Sequence, residues 1–429
     1  MQGEIIMIDI IKYLKENKNV HDFKIITTEK KSSELFFVHK NLETVRRTDT
    51  NEVLVTIYNY HDEKIGQAEF SLFEADDSDA VKEKINIAVS KAKLIGNELY
   101  ELPGCDVKSI EVESNFKNYS LNELAELISN SVFEADSYKD GSINALEVFV
   151  NQYERTIINS KGLNKVMKYY DAFVEAIPTW NGNNESVELY EAYKFNEFNS
   201  KKVKEEIDSK MTEVKNRFYA KKPESKLSMK VALRANELNE FLSEIIFNAN
   251  SQTIYTHQNV YNMGDNIQAE AKGDKLTITA RGEIKGCALS RSFDSDGLDL
   301  IDTKVMEKGI LKAIYGGNRF SQYLKVTPTG NLGLIEVEKG KTSIKDLKEP
   351  YFECVSLSGL QVDLFTDYIG GEVRLGYVHE NGEIKPVTGI SISGKISEIL
   401  KDMTLSKETT IVDNYSGPKL ALFGGLEIL

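Results

Sequence analysis

Two stretches of this sequence space carboxylates as chemistry would want them. DSYKDGSINALE puts Asp136, Asp140, Gly141 and Glu147 at the first ligand, the fifth, the turn glycine and the closing glutamate of a helix–loop–helix calcium site. Tyr138 stands where a third ligand belongs, and the residues after Glu147 read as strand rather than helix. A turn between a helix and a strand is the better reading, with no calcium expected. RSFDSDGLDLID gathers Asp294, Asp296, Asp299 and Asp302. A metal cluster or a pair of acid–base carboxylates are the chemical readings. An acidic turn with Asp296-Gly297 at its tip is the plainer one, and we prefer it. His21, His39, His61, His257 and His379 are scattered, and Cys105, Cys287 and Cys354 form no CxxC. There is no HExxH, GxSxG, phosphate-binding loop or GxGxxG.

Composition narrows the classes. The 429 residues suggest two or three domains. With 53 Lys and Arg against 67 Asp and Glu, the formal charge is −14, which does not draw in phosphate backbones or anionic lipid. Neither nucleic acid nor membrane is expected as a partner, and no apolar run approaches the ~18 residues of a membrane helix. Three distant cysteines fit a reducing compartment. The N-terminus lacks the basic-then-apolar layout of a signal peptide, so the default expectation is a soluble cytoplasmic protein.

The elements that must position these residues change character along the chain. Of 28 glycines, 21 fall at or after Gly264, so a helix-rich first part should give way to strands and turns. A short helix is predicted over 7–17, with strands at 23–29, 34–39, 52–60 and 65–73. Val81, Ile85, Ala88, Ala92, Ile95 and Leu99 share one face of a helix. Pro103-Gly104 breaks the chain. Ser120 and Glu123 form a capping box for a helix through about Phe133. A strand over 148–158 and a weakly alternating segment over 165–178 follow. Val203, Ile207, Met211, Val214 and Phe218 mark another helix. KKPES (221–225) is a candidate boundary, then a strand (230–235) and a helix (237–249). From about 275 the pattern is mostly strand, including a hairpin at Asn381-Gly382. The fold class is α+β: an N-terminal helix-on-sheet domain (1–222, with a possible sub-boundary near 103–118) and a β-rich C-terminal domain (223–429).

Taken in order, these segments resemble the TldD/PmbA family, also called modulators of DNA gyrase and predicted to be metallopeptidases. The resemblance covers nearly the whole chain and is clearest after residue 220. It rests on IINSKGL (157–163), KVALRANELNEFLSEII (230–246), SRSFDSDGLDLIDTKVMEKGILKAIYGGNRFSQYL (290–324), TPTGNL (327–332), GGEVRLGYVHENGEIKPVTGISISG (370–394), KISEILKDM (395–403) and PKLALFGGLEI (418–428). Catalytic members of the family carry HExxxH on the first helix of the C-terminal domain and a cysteine near the C-terminus, which together hold zinc. The matching positions here are Ser243, Glu244 and Asn248, and TTIVDNYSGPKL (409–420) has no cysteine.

The resemblance therefore implies a PmbA/TldE-like subunit with no cofactor of its own. Zinc is expected in a TldD-like partner subunit. This chain would bind and position peptide or unfolded segments as extended strands. Asp294, Asp296, Gly297 and Asn331 are the residues it offers for substrate or partner contact. An independent metallopeptidase with other ligands, or a non-enzymatic peptide-binding homodimer, are the alternatives.

Overall fold

The structure is a computed structural model that describes residues 10–182 and 185–429. The first residues of the helix expected over 7–17 lie outside the described residues. Its remainder, α1 (10–16), buries Ile10 and Leu14 against the first sheet.

That sheet is built from β1 (Asp22–Val38), β2 (Asn41–His61), β3 (Lys64–Leu72), β4 (Val107–Glu111), β5 (Gly141–Asn159), β6 (Asn164–Asn181), β7 (Ser186–Glu188) and β8 (Glu191–Phe195). The order is β3-β2-β1-β5-β6-β4, and β7 and β8 also pair with β6. The two strands expected at 23–29 and 34–39 are one. KKSS (30–33) looks like a break in the sequence. It continues as strand because β2 and β5 pair with it on both sides and take up its backbone groups, and Ser32 and Ser33 are buried. The segment 165–178, which alternates only weakly, is the core of β6, antiparallel to β5 along its length.

One face of this sheet carries α2 (Ser78–Ala92) and α3 (Leu121–Ala135). Helix α3 opens with the expected capping box: Ser120 Oγ accepts from Glu123 N at 3.2 Å, and Glu123 reaches back to Ser120 N. Helix α2 ends earlier than its apolar spacing predicts. After Ala92 the chain turns so that Asn97 and Ile65 exchange backbone bonds at 3.0 Å, which leaves Ile95 and Leu99 exposed. Gly66 permits this close approach, since a Cβ there would lie 1.8 Å from the Ala92 carbonyl oxygen. The calcium-like segment is a turn from the end of α3 into β5. Glu147 lies within β5, opposite Glu175 of β6, and so cannot close a loop around an ion.

Helix α4 (Ser200–Tyr219) packs on α3 and β6 and leads to β9 (Lys230–Arg234) and α5 (Ala235–Phe247). Beyond α5 lie two further sheets. One has six strands in the order Ile310–Leu311, Thr303–Glu307, Ile278–Arg281, Leu334–Val337, Tyr415–Pro418 and Thr409–Val412. The other runs Met403–Leu405, Leu420–Phe423, β9, Tyr351–Asp363, Tyr368–Glu380, Ile390–Lys395 and Leu426–Ile428, with Glu383–Val387 as a side branch. Asn381 (φ 56°) and Gly382 (φ 77°) form the expected two-residue hairpin turn. GILKAIY (309–315) contributes only Ile310–Leu311 as strand. Leu238, Phe241, Leu242, Ile245 and Ile246 of α5 join residues of both sheets in one core. Each such side chain contributes about 1.5–3 kcal/mol by leaving water. Among the described residues no helix is long and apolar enough to cross a membrane.

Candidate functional site

Helix α5 and its C-cap carry Ser243, Glu244 and Asn248, the positions that the resemblance sets against a zinc motif. Its apolar row faces the core, which turns Glu244 to solvent and leaves Ser243 half-buried. Ser243 Oγ donates to Asn239 Oδ1 at 3.2 Å, one turn back on the same helix. Asn239 Nδ2 in turn donates to Asn414 Oδ1 at 2.7 Å, in the turn between Thr409–Val412 and Tyr415–Pro418. Asn248 is buried at the helix C-cap. Its Nδ2 donates to the Glu244 carbonyl at 3.0 Å, and its Oδ1 accepts the Val260 and Tyr261 N–H groups at 2.5 and 3.1 Å.

These residues do not fit zinc. A hydroxyl and carboxamides replace imidazole and thiolate, the donors zinc prefers. The acceptor oxygen of Asn248 is already committed to two backbone donors. The nearest part of the C-terminal stretch presents Asn414, not a thiol. Cys287 lies beside the turn that carries Asn414, but its Sγ donates to the Asp413 carbonyl at 2.8 Å and burial pushes the thiol pKa up. Glu244 therefore has no metal-bound water to activate. Sequence reasoning missed Asn239 and Asn414. The signals were the four-residue spacing of Asn239 from Ser243 and the place of Asn414 in the segment where the family carries its cysteine.

The four residues read as substrate or partner contacts are brought together, but by the chain's own structure. Asp294 is buried, and its carboxylate accepts from the N–H groups of Asp296 (2.9 Å), Leu298 (3.1 Å) and Asn331 (3.0 Å). Burial and the neighbouring Asp296 carboxylate raise its pKa, with these N–H groups opposing. Gly297 sits at φ 82° with Leu163 of the β5–β6 turn directly above it. Asp296 pairs with Lys24 of β1 at 2.6 Å. Asp299 pairs with Lys165 of β6 at 2.8 Å and Lys108 of β4 at 3.3 Å. Burial would raise the Asp299 carboxyl, but the two ammonium groups outweigh it and hold it low. Asp302 pairs with Arg281. The acidic turn thus clasps the first sheet: Asp294 takes backbone N–H groups, and Asp296, Asp299 and Asp302 answer separate bases instead of converging on one ion.

A second ionic cluster joins α4 to the C-terminal sheets. Arg234 bridges Glu213 of α4 (2.6 Å) and Glu353 (2.7 Å). Glu353 also holds His379 at 2.8 Å, and Lys210 joins Glu213 to Glu191, each at 2.9 Å. Beside it Glu237, in the first turn of α5, is 8% exposed with Oε2 unpartnered. Burial raises its pKa to about 7 against the pull of Arg234 and Lys210.

A family model described as the PmbA/TldA metallopeptidase C-terminal domain matches residues 226–428. Residues 226–428 are similar to the C-terminal domain of the TldD/PmbA family. The metalloprotease PmbA homologue of Buchnera aphidicola is 29% identical over 43% of this chain, and the match spans 44% of the relative, less than half its length. TldE from Thermococcus kodakarensis superposes with a TM-score of 0.81 at 16% identity, covering 98% of this chain and 99% of that one. A candidate modulator of a DNA gyrase from Thermotoga maritima gives 0.79 at 16% identity, with both chains fully covered. The α+β fold class read from the sequence holds, and the whole described chain shares the TldE fold.

Proposed function

We propose that this chain is the non-zinc subunit of a TldD/PmbA-type metallopeptidase system. It binds and positions peptide or unfolded segments for cleavage by a zinc-bearing TldD-like partner. The carrying observation is the chemistry of α5. The positions that would hold zinc are Ser243 and Asn248, tied into the Asn239–Asn414 and Val260–Tyr261 hydrogen bonds, while the sheets around them are intact. A surviving scaffold without ligands is explained by a binding or assembly task. The long β2 strand supplies a suitable edge: among the described residues β3 pairs with its residues 53–61, and no strand pairs with the outer side of 41–52. Strand addition there binds main chain with little demand on sequence. We place the boundary between the two parts near 221–230, and the chain in a reducing compartment, where its three thiols stay free.

Co-purification from the native host with mass spectrometry tests this. Recovery in near-equal amount of a chain carrying HExxxH supports the reading. A stable homodimer that holds zinc by itself overturns it.

A further inference from the structure

On the face of the first sheet opposite α2 and α3, Ile26, Ile157 and Met167 pack against Phe293, and beyond them the face is not apolar. Its side chains lie in rows set by the register. Lys30 of β1 stands beside Tyr153 of β5 and Tyr169 of β6; Ser32 beside Asn151 and Asp171; Phe149 and Phe173 beside Lys194 of β8. The two tyrosines stack with centroids 4.7 Å apart. Arg291, from the loop before the acidic turn, lies 3.7 Å over the Tyr169 ring, held by the carbonyls of Ala288 and Ser290. Lys30 and Lys194 lie over Tyr153 and Phe173 at 5.8 and 5.5 Å.

Charge on this patch does not balance. Burial raises the Asp171 carboxyl, and Arg291, Lys30 and Lys194 all act on it in the opposite sense, while Glu34, the other buried carboxylate on this face, is already paired with Arg46. Lys194 also has Asp413 at 3.9 Å. Among the described residues, Lys30 and Arg291 make no ion pair. The like-charged Glu147 and Glu175 sit on the same face, two residues or about 7 Å from the Phe149–Phe173 row where Lys194 stands, and four residues or about 13 Å from Asn151. With a Debye length of about 8 Å they offset Lys194 but not Lys30 and Arg291, which stand farther along at the Tyr153–Tyr169 row. Two orphaned groups accompany the surplus charge. Asn151 is 5% exposed, donates to Asp171 through Nδ2 at 2.7 Å, and leaves Oδ1 without a partner. Arg155 Nε, on the same face, is likewise buried and unpartnered.

We infer that this aromatic, cationic face receives an extended peptide carrying carboxylates, with Lys30 and Arg291 as the groups that select acidic side chains or a C-terminal carboxylate. The inference rests on the peptide-handling reading and adds its charge class, against the grain of a chain whose net charge is −14.

Fluorescence anisotropy with labelled alternating Ala-Glu, Ala-Gln and Ala-Lys peptides tests it on the full chain. The Ala-Glu peptide should bind best and lose affinity with salt. Lys30→Gln and Arg291→Gln should each weaken it roughly fivefold. Lys82→Gln, on α2 across the sheet, should leave it unchanged. Lys30 is a half-exposed strand residue whose removal leaves the fold standing, so that variant remains decisive if Arg291→Gln misfolds. Equal binding of all three peptides, or Ala-Glu binding indifferent to Lys30→Gln, overturns the inference and leaves peptide handling intact. Binding of none overturns both.

Discussion

Replacing Glu237 with glutamine should stabilise this protein above neutral pH and leave it unchanged in acid. Glu237 lies in the first turn of α5, nearly out of water, with one carboxylate oxygen unpartnered. Burial raises its pKa from 4.5 to about 7. A carboxyl raised in the folded state favours folding below its unfolded pKa and loses that advantage as pH rises through its folded pKa. The cost therefore grows between pH 4.5 and 7 and then levels off. At 1.36 kcal/mol per pKa unit it reaches about 3 kcal/mol. Glutamine mimics the protonated form and carries no such cost. Thermal melts of both proteins from pH 4.5 to 8 should diverge steadily, with Glu237→Gln higher at pH 8 by roughly 3–7 °C, the larger value applying if the C-terminal half unfolds alone. A difference that does not change with pH would refute the reasoning, because Glu237 would then not titrate in that window.

Other perturbations read other parts of the structure. Gly297→Ala puts a Cβ 2.3 Å from Leu163 Cδ2 at φ 82°, and should cost about 1–3 kcal/mol in urea melts. Asn248→Ala strips the Val260 and Tyr261 N–H groups of their acceptor, and should cost about 1–3 kcal/mol by the same assay. Limited proteolysis should cut first near 221–230 and yield two resistant parts; stable cuts only within 275–429 would contradict that boundary.

The legible parts of the sequence were those whose causes are local. The Ser120–Glu123 capping box, the Asn381-Gly382 turn and the apolar rows of α4 and α5 depend on residues a few positions apart, and the structure has them where the spacing puts them. Elements decided by distant partners were misread. Strand β1 seemed to break at KKSS because nothing local shows that β2 and β5 flank it throughout. Helix α2 seemed to run to Leu99 because its end is set by Ile65, across the sheet. At the candidate site, order along the chain places Ser243 and Glu244 on α5 and Asn248 at its C-cap, as the structure has them. The bond from Asn239 to Asn414 spans 175 positions, and the local spacing of Asn239 from Ser243 does not by itself reveal it. The acidic residues 294–302 were legible as a turn, but their basic partners Lys24, Lys108 and Lys165 belong to another sheet.

The central claim is that this chain handles peptides without cutting them. The direct measurement is hydrolysis of an unstructured peptide by the purified chain, alone and mixed with a zinc-bearing TldD-like member, with metal content determined on the same samples. The account predicts no cleavage and no stoichiometric zinc for the chain alone, and chelator-sensitive cleavage in the mixture. Cleavage by the isolated chain that survives chelation and is lost in Glu244→Gln would contradict it.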